Sequence, residues 1–218
     1  SDYAWVTLNR ICKVCTYSGI SQLIQRNSDY LVDKIAAQMK YIQLYPDTPK
    51  AFRALLIYSD ENVLPLIEDI ATDALRALDT LNPHLIPSLI QILYQILVVL
   101  LRVKNNAPEE FVVHVEPDAE QEDSNPSAEL PSVIRVTSSI LAKIQHFIPS
   151  KDRTVKVKSL EILQMGTRIL SEEYSKTLLP LVHQCWIPLV NRCKEDDFVM
   201  VIKGLEVVRI LIVHCKDF

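Results

Sequence analysis

A short pattern recurs along this 218-residue chain, and two of its copies stand 45 residues apart. Asp152, Val157, Lys158, Leu160, Glu161, Ile162 and Leu163 align with Asp197, Ile202, Lys203, Leu205, Glu206, Val207 and Val208. A shorter copy runs Asp47, Phe52, Arg53, Ala54, Leu55. Each opens with an acid able to cap a helix, places a bulky apolar residue five positions on, and follows it with a base. That is the second helix of a helical hairpin, and a period near 45 lies within the roughly 40–47 residues of HEAT or armadillo units. A hairpin of this kind cannot bury its apolar faces alone, so the units must stack. The expectation is an all-α protein, an α-α superhelix (a HEAT/armadillo-like solenoid) of about nine helices. Its long face suits protein partners better than chemistry.

Composition agrees with long helices. Hydrophobic residues make up 49% of the chain and only three glycines occur, Gly19, Gly166 and Gly204. A glycine-rich phosphate cradle is therefore absent. The net charge of −4 is unevenly placed: residues 105–131 hold eight acids and no Lys or Arg. The rest of the chain carries 23 bases against 19 acids, too weak and dispersed a positive field for a nucleic-acid footprint. Five cysteines at irregular spacing form no disulfide framework and fit a reducing compartment, the cytosol or nucleus. Ser1 leads directly into a helical pattern with Trp5, Leu8, Ile11 and Cys12, and no signal peptide is visible. The chain is expected to be one solenoid piece, residues 1–218, of a longer protein.

Capping residues and prolines set the expected helix limits. A leading helix covers 2–26, bent at Gly19. Ser28 and Asp29 start a helix reaching Tyr45, and Asp47, Thr48 and Pro49 start another to Tyr58. A fourth runs from Glu61 to Thr80. Asn82 as N-cap and Pro83 at the first helical position start a fifth, ending near Val103. Further helices run from Pro131 to Pro149, then over 152–171, 173–194 and 197–216. The hairpin repeats are then 28–58, 61–103, 131–171 and 173–216. The acidic, proline-containing stretch 105–131 reads as a mobile insert between two of them. In the last helix Phe198, Val201, Ile202, Leu205, Val208, Ile212 and Cys215 form one apolar stripe, with Val207, Ile210, Leu211 and Val213 outside it. A single neighbour cannot cover both faces, so another unit is expected to pack after Phe218.

Residues that suggest chemistry read better as structure. Cys12 and Cys15 have CxxC spacing, but no second ligand pair lies nearby for zinc; both are expected as core thiols on one helix face. His183 with Cys185, and His214 with Cys215, lie one or two positions apart and so point in different directions on a helix. The acid pairs Glu109/Glu110, Glu172/Glu173 and Asp196/Asp197 sit in loops or first helical turns, where they offset the helix dipole. No nucleotide-binding, serine-hydrolase or zinc-protease string occurs. No catalytic residue, metal ligand, cofactor or small-molecule substrate is therefore assigned. Leu85–Leu101 carries no charge over 17 residues, short of the roughly 20 of a membrane span and broken by Pro87, Gln91 and Gln95. It is expected to be a core helix, with no membrane involved. Arg53, Lys158 and Lys203 offer a basic line for an acidic partner, or pair locally, Lys158 with Glu161 and Lys203 with Glu206.

The segment Leu178–Arg192 reads LLPLVHQCWIPLVNR and is followed by Asp196, Asp197 and an apolar helix. It resembles a unit near the carboxyl end of the Tel-two-interacting protein one family, the scaffold subunits of the TTT co-chaperone complex. Asn62–Ala71 (NVLPLIEDIA) and Tyr45–Lys50 (YPDTPK) are similar to that family too. Leu179, Pro180, Leu181, His183, Gln184, Trp186 and Pro188 carry the likeness best, whereas Cys193 and Phe198 depart from it. The resemblance implies a non-catalytic scaffold, cytoplasmic and nuclear, that binds Tel-two and Tti-two proteins. Through the Hsp-ninety and R2TP machinery it would support maturation and assembly of phosphatidylinositol-kinase-related kinases of the TOR, ATM and ATR types. An unrelated HEAT scaffold, of the nuclear-transport-receptor or phosphatase-regulatory type, is the alternative.

Overall fold

In the computed structural model, residues 2–58, 64–80, 82–106, 131–170 and 174–215 are described. Among them ten α-helices and one 3₁₀ turn occur, with no strand. The helices are α1 (Asp2–Val14), α2 (Ile20–Arg26), α3 (Ser28–Met39), α4 (Thr48–Tyr58) and α5 (Leu64–Asp79). They continue with α6 (Ile86–Asn106), α7 (Ser132–Ile144), α8 (Arg153–Leu170), α9 (Ser175–Arg192) and α10 (Phe198–His214). The 3₁₀ turn, Gln145–Phe147, extends α7.

Neighbour relations give two layers. Helices α4, α6, α8 and α10 pack in sequence to form one layer, with α2 against α4 at its start. Helices α3, α5, α7 and α9 form the other. Within each hairpin the two helices also touch, α3 on α4, α5 on α6, α7 on α8 and α9 on α10. This is the α-α superhelix.

The apolar spacing explains who packs where. In α5, Ile67, Ile70, Ala71, Ala74 and Leu78 are buried, a single stripe with turns between its members. Helix α6 buries Leu89, Ile90, Ile92, Leu93, Ile96, Leu97 and Leu100, because α4, α5 and α8 approach it from different sides. It is long and apolar enough to cross a membrane, yet it lies as a core helix between these neighbours. Helix α8 touches α6, α7, α9, α10 and the 3₁₀ turn, and buries nine residues including Leu160, Ile162, Leu163 and Ile169. Its buried Thr167 donates to Leu163 O at 2.8 Å, and Thr137 of α7 donates to Val133 O at 2.7 Å, so neither hydroxyl is left unsatisfied.

Several expected limits shift. The leading helix is broken rather than bent, which raises the helix number from nine to ten. Thr16 takes the left-handed conformation (φ 58°), sparsely allowed for a side-chain-bearing residue, and this ends α1. Gly19 is merely extended. Cys15 consequently lies beyond α1 and is exposed while Cys12 is buried, so only one of the two thiols joins the core. Helix α3 stops at Met39, not Tyr45. Tyr41 N donates to Gln38 O and Leu44 N to Tyr41 O, tight i→i+3 bonds that close the helix, and Pro46 disfavours helix at Tyr45. Asn82 does not cap α6 directly. Its Oδ1 accepts from His84 N at 3.2 Å and its carbonyl from Leu85 and Ile86, opening a turn before the helix at Ile86. The expected start at Glu61, and nearly all of the acidic insert 105–131, lie outside the described residues.

Gly166 lets Leu141 of α7 pack directly on α8: a Cβ there would stand 2.5 to 2.9 Å from Leu141 side-chain carbons. Gly166→Val is expected to destabilise the protein by about 1–3 kcal/mol through overpacking, and Ile96→Ala by about 2–5 kcal/mol through a cavity. Calorimetric melting of the variants checks both; unchanged melting temperatures would contradict this packing.

Candidate functional site

The repeat-signature residues build a ladder of ion pairs between successive hairpins. Asp152 caps α8, its Oδ1 accepting from Thr154 N at 2.7 Å and Val155 N at 3.1 Å. Asp197 caps α10 through Val199 N at 3.0 Å and also receives Arg153 Nε at 2.6 Å, joining the starts of α8 and α10. Beside it Lys156 reaches Glu195 at 3.0 Å, and Arg192 pairs with the same carboxylate. Further along, Lys158 pairs with Glu161 at 2.7 Å and Lys203 with Glu206 at 3.2 Å, while Lys203 approaches Glu161 at 3.8 Å. Lys158 Nζ also stands 4.1 Å from the centroid of the Tyr94 ring on α6. Ion pairs therefore tie α8 to α10 and the residues that lead into it, and the Lys158 contact with the Tyr94 ring joins α6 to α8. The signature bases Lys158 and Lys203 are both engaged in this stack, not held free for an acidic ligand.

The third copy differs. Asp47 is exposed and pairs with Lys50 at 2.6 Å, while its carbonyl accepts from Lys50 and Ala51 at the start of α4. Arg53 is exposed and joins no ion pair among the described residues. Elsewhere the layer of α3, α5, α7 and α9 has its own clasps, Glu68 of α5 with Arg135 and Asp79 with Lys143 of α7.

The motif helix α9 buries Leu178, Val182, Cys185 and Leu189, one stripe at steps of four, three and four. None of these is among the residues that carry the family likeness best; the helical spacing of apolar residues was the available signal for them. Leu179, Leu181, Trp186 and Pro188 are half-buried, and Pro180, His183 and Gln184 are exposed. The structure thus brings the motif to the flanks and outer face of α9 rather than into a cleft. Ile187 stands open among them.

No group of three or more His, Cys, Asp or Glu side chains fit to hold a metal occurs among the described residues. Cys185 is buried on α9, and burial pushes its thiol up to about 11, with Cys215 nearby adding to the shift. Burial also raises Cys193 and Cys215. These thiols stay protonated and are poor nucleophiles at neutral pH. A cavity of about 490 Å³ lies between the turn after α3 and the end of α5, lined by Met39, Tyr41, Leu44, Arg76 and Leu85 among others.

Alkylation of the native protein at pH 8 is expected to modify Cys15 quickly and to spare Cys12, Cys185 and Cys215; mass-spectrometric mapping showing Cys185 as reactive as Cys15 would contradict the burial. A second expectation concerns Asp197, whose carboxyl is held below the usual range chiefly by its hydrogen bond from Arg153. Stability from a depressed carboxyl is present above the unfolded value of about 3.9 and is lost as pH falls through the lower folded value. Asp197→Asn should therefore melt below the wild type at pH 7, and the gap should close as the pH is taken below about 4.

A family model described as the TTI1 C-terminal TPR domain matches residues 100–218, and one described as TELO2-interacting protein 1 matches residues 1–75. The human TELO2-interacting protein 1 homolog is 26% identical over 277 aligned positions, covering all of this chain and 25% of the human protein. The mouse homolog is 25% identical over 273 positions with the same coverage. The chain spans about a quarter of the length of these curated relatives. No solved structure matches. With its C-terminal-domain model covering more than half of the residues, the chain belongs to the TELO2-interacting protein 1 family.

Proposed function

We propose that this chain is a non-catalytic scaffold segment of a TTT-type co-chaperone complex. It binds a TELO2-type (Tel-two) protein and a Tti-two-type protein. With the Hsp-ninety and R2TP machinery the assembly supports maturation and stability of phosphatidylinositol-kinase-related kinases of the TOR, ATM and ATR types, in cytoplasm and nucleus. The observation that carries this reading is family membership combined with a two-layer stack of hairpins. The relatives' name describes a protein that interacts with TELO2. A solenoid supplies such a role physically, since each hairpin contacts only its neighbours and leaves a long surface for partners. The ionic ladder and the buried α6 hold that surface rigid, which limits the ordering cost of binding.

The test is affinity purification of the full-length protein from its own cells, with quantitative mass spectrometry. TELO2 and Tti-two proteins should co-purify in near-equal amounts, and depletion of the protein should lower the steady-state levels of TOR-, ATM- and ATR-type kinases together. Recovery of importin cargo or a phosphatase catalytic subunit in place of these, with kinase levels unchanged, would overturn the assignment.

A further inference from the structure

The two layers differ in charge. Helices α4, α6, α8 and α10 together carry ten Lys and Arg against two acids, Glu161 and Glu206, whereas α3, α5, α7 and α9 carry six of each. Helices α4 and α6 hold no acid at all. The helix dipole favours bases in last turns, but it does not explain a layer so poor in acids. Both acids are already engaged, Glu161 by Lys158 and Glu206 by Lys203. Asp47, Asp197 and Glu195 of the connecting turns hold Lys50, Arg153 and Lys156, and Lys104 donates to Ile169 O. Beyond these, each helix of the layer carries one further arginine: Arg53, Arg102, Arg168 and Arg209, all exposed. Arg53, Arg102 and Arg209 join no ion pair among the described residues.

These arginines share one side of the layer and, on three helices, one level. The signature copies place Arg53 where α8 has Lys158 and α10 has Lys203. The acid three positions on is replaced by the buried Leu56, so Arg53 has no such local partner. On α8, Lys158, Glu161, Met165 and Arg168 follow at steps of three, four and three; on α10, Lys203, Glu206 and Arg209 follow at steps of three. Arg168 and Arg209 therefore continue the side of their helices along which the seam pairs run. On α6, Arg102 follows the half-buried Gln91, Gln95 and Val98 at steps of four, three and four, the side next to Tyr94. Lys104 beside Ile169 sets the last turn of α6 against that of α8, which brings Arg102 near the level of Arg168. Glu161 opposite Lys203, and Arg153 opposite Asp197, offset α8 from α10 by 42 to 44 residues, so Arg209 stands level with residues 165–167.

We infer that the open side of the α4–α6–α8–α10 layer is a docking surface for an acidic, extended segment of a partner protein, whose carboxylates meet Arg53, Arg102 and Arg209. Arg168, between the last two, adds to the field. Charge complementarity sets the chemistry: where the layer's own acids are all engaged, a positive row draws carboxylates from elsewhere. Neighbouring helices lie about 8–10 Å apart, so the row spans roughly 30 Å, the length of about nine extended residues. One arginine per helix, with Gln95, Val98 and Met165 half-buried between, suits a single chain better than the broad face of a membrane or a nucleic-acid duplex. A further hairpin packed after α10 would extend this side and not cover it. The acids of 105–131 are joined at both ends to α6 and α7, at the middle of the row, whereas a partner's segment runs free from α4 to α10.

This surface follows from the chain's own charge and stands or falls apart from the proposed TELO2 complex. The probe is a labelled oligoglutamate of about twelve residues, long enough to cross the row. Its affinity for the full-length protein is measured for the wild type, Arg102→Gln/Arg209→Gln, Arg53→Gln and, as a control on α3, Lys34→Gln. All four positions are exposed, so melting temperatures should match the wild type. Wild-type affinity is expected to fall as salt rises. The double variant should weaken binding about fivefold or more and Arg53→Gln about twofold or more, with Lys34→Gln unchanged. Should the double variant melt early, Arg53→Gln and Arg102→Gln alone carry the test. No binding at low salt, arginine variants that bind as the wild type, or an equal loss in Lys34→Gln would overturn the surface. Full-length protein with the eight acids of 105–131 changed to amides separates the chain's own segment from a partner's. Unchanged affinity supports a partner; binding strengthened about fivefold or more would overturn it in favour of the chain's own acids. Tighter binding of phosphatidylserine vesicles or duplex DNA than of the oligoglutamate, lost in the double variant, would overturn an acidic polypeptide as the occupant.

Discussion

The packing of α8 between α6 and α10 is the contact on which the rest depends. It joins the hairpins before the acidic segment to those after it, so one core runs from Ile35 in α3 to Cys215 after α10. Apolar burial supplies most of its strength: Leu93, Ile96 and Leu97 of α6 and Leu160, Ile162 and Leu163 of α8 are all essentially buried. Each such side chain contributes about 1.5–3 kcal/mol relative to exposure. Against that, the ion pairs along the seam set register more than stability. Most of them remain partly open to water, where a pair is worth little.

Register is nonetheless what the repeat requires. Asp197 both caps α10 and holds Arg153, so the start of one helix is fixed against the start of its predecessor. Lys104 of α6 donates to Ile169 O near the end of α8 at 2.8 Å, a clasp at the opposite end of the layer. A slide of one helical turn would break both ends together. This is how a sequence with few glycines and long apolar runs selects one stacking among several.

Much of this was legible from periodicity. The copies at Asp152 and Asp197 gave the two-helix unit, and Pro131, Asp152 and Asp197 marked helix starts to within a residue or two. Where the reading failed, local capping rules met tertiary geometry. Nothing in Tyr41–Tyr45 announces that the chain must turn beneath α5, and no propensity rule places Thr16 in the left-handed region. Of the residues chosen as the α10 stripe, Phe198, Ile202, Leu205 and Ile212 are left open, Val201 and Val208 are half-buried and only Cys215 is buried, while the buried line runs through Met200, Gly204, Val207 and Leu211. Both faces are apolar, so composition could not rank them. Gly204 decides the matter: a Cβ there would stand 2.9 Å from Cys193 Sγ, which lets α10 press closely on the end of α9 along this line. The motif on α9 identified the family, yet it stands beside the buried stripe, so recognition and packing are carried by different residues of the same helix.

The central claim is a single continuous core held by the α6–α8–α10 layer. Native-state hydrogen exchange on the full-length protein tests it most directly. The account predicts that amides of α6 and α8 exchange slowest and together, while those of α1, which packs chiefly on α2 among the described residues, exchange far faster. Exchange of α8 at the rate of α1, or of α6 and α8 in separate unfolding events, would contradict it.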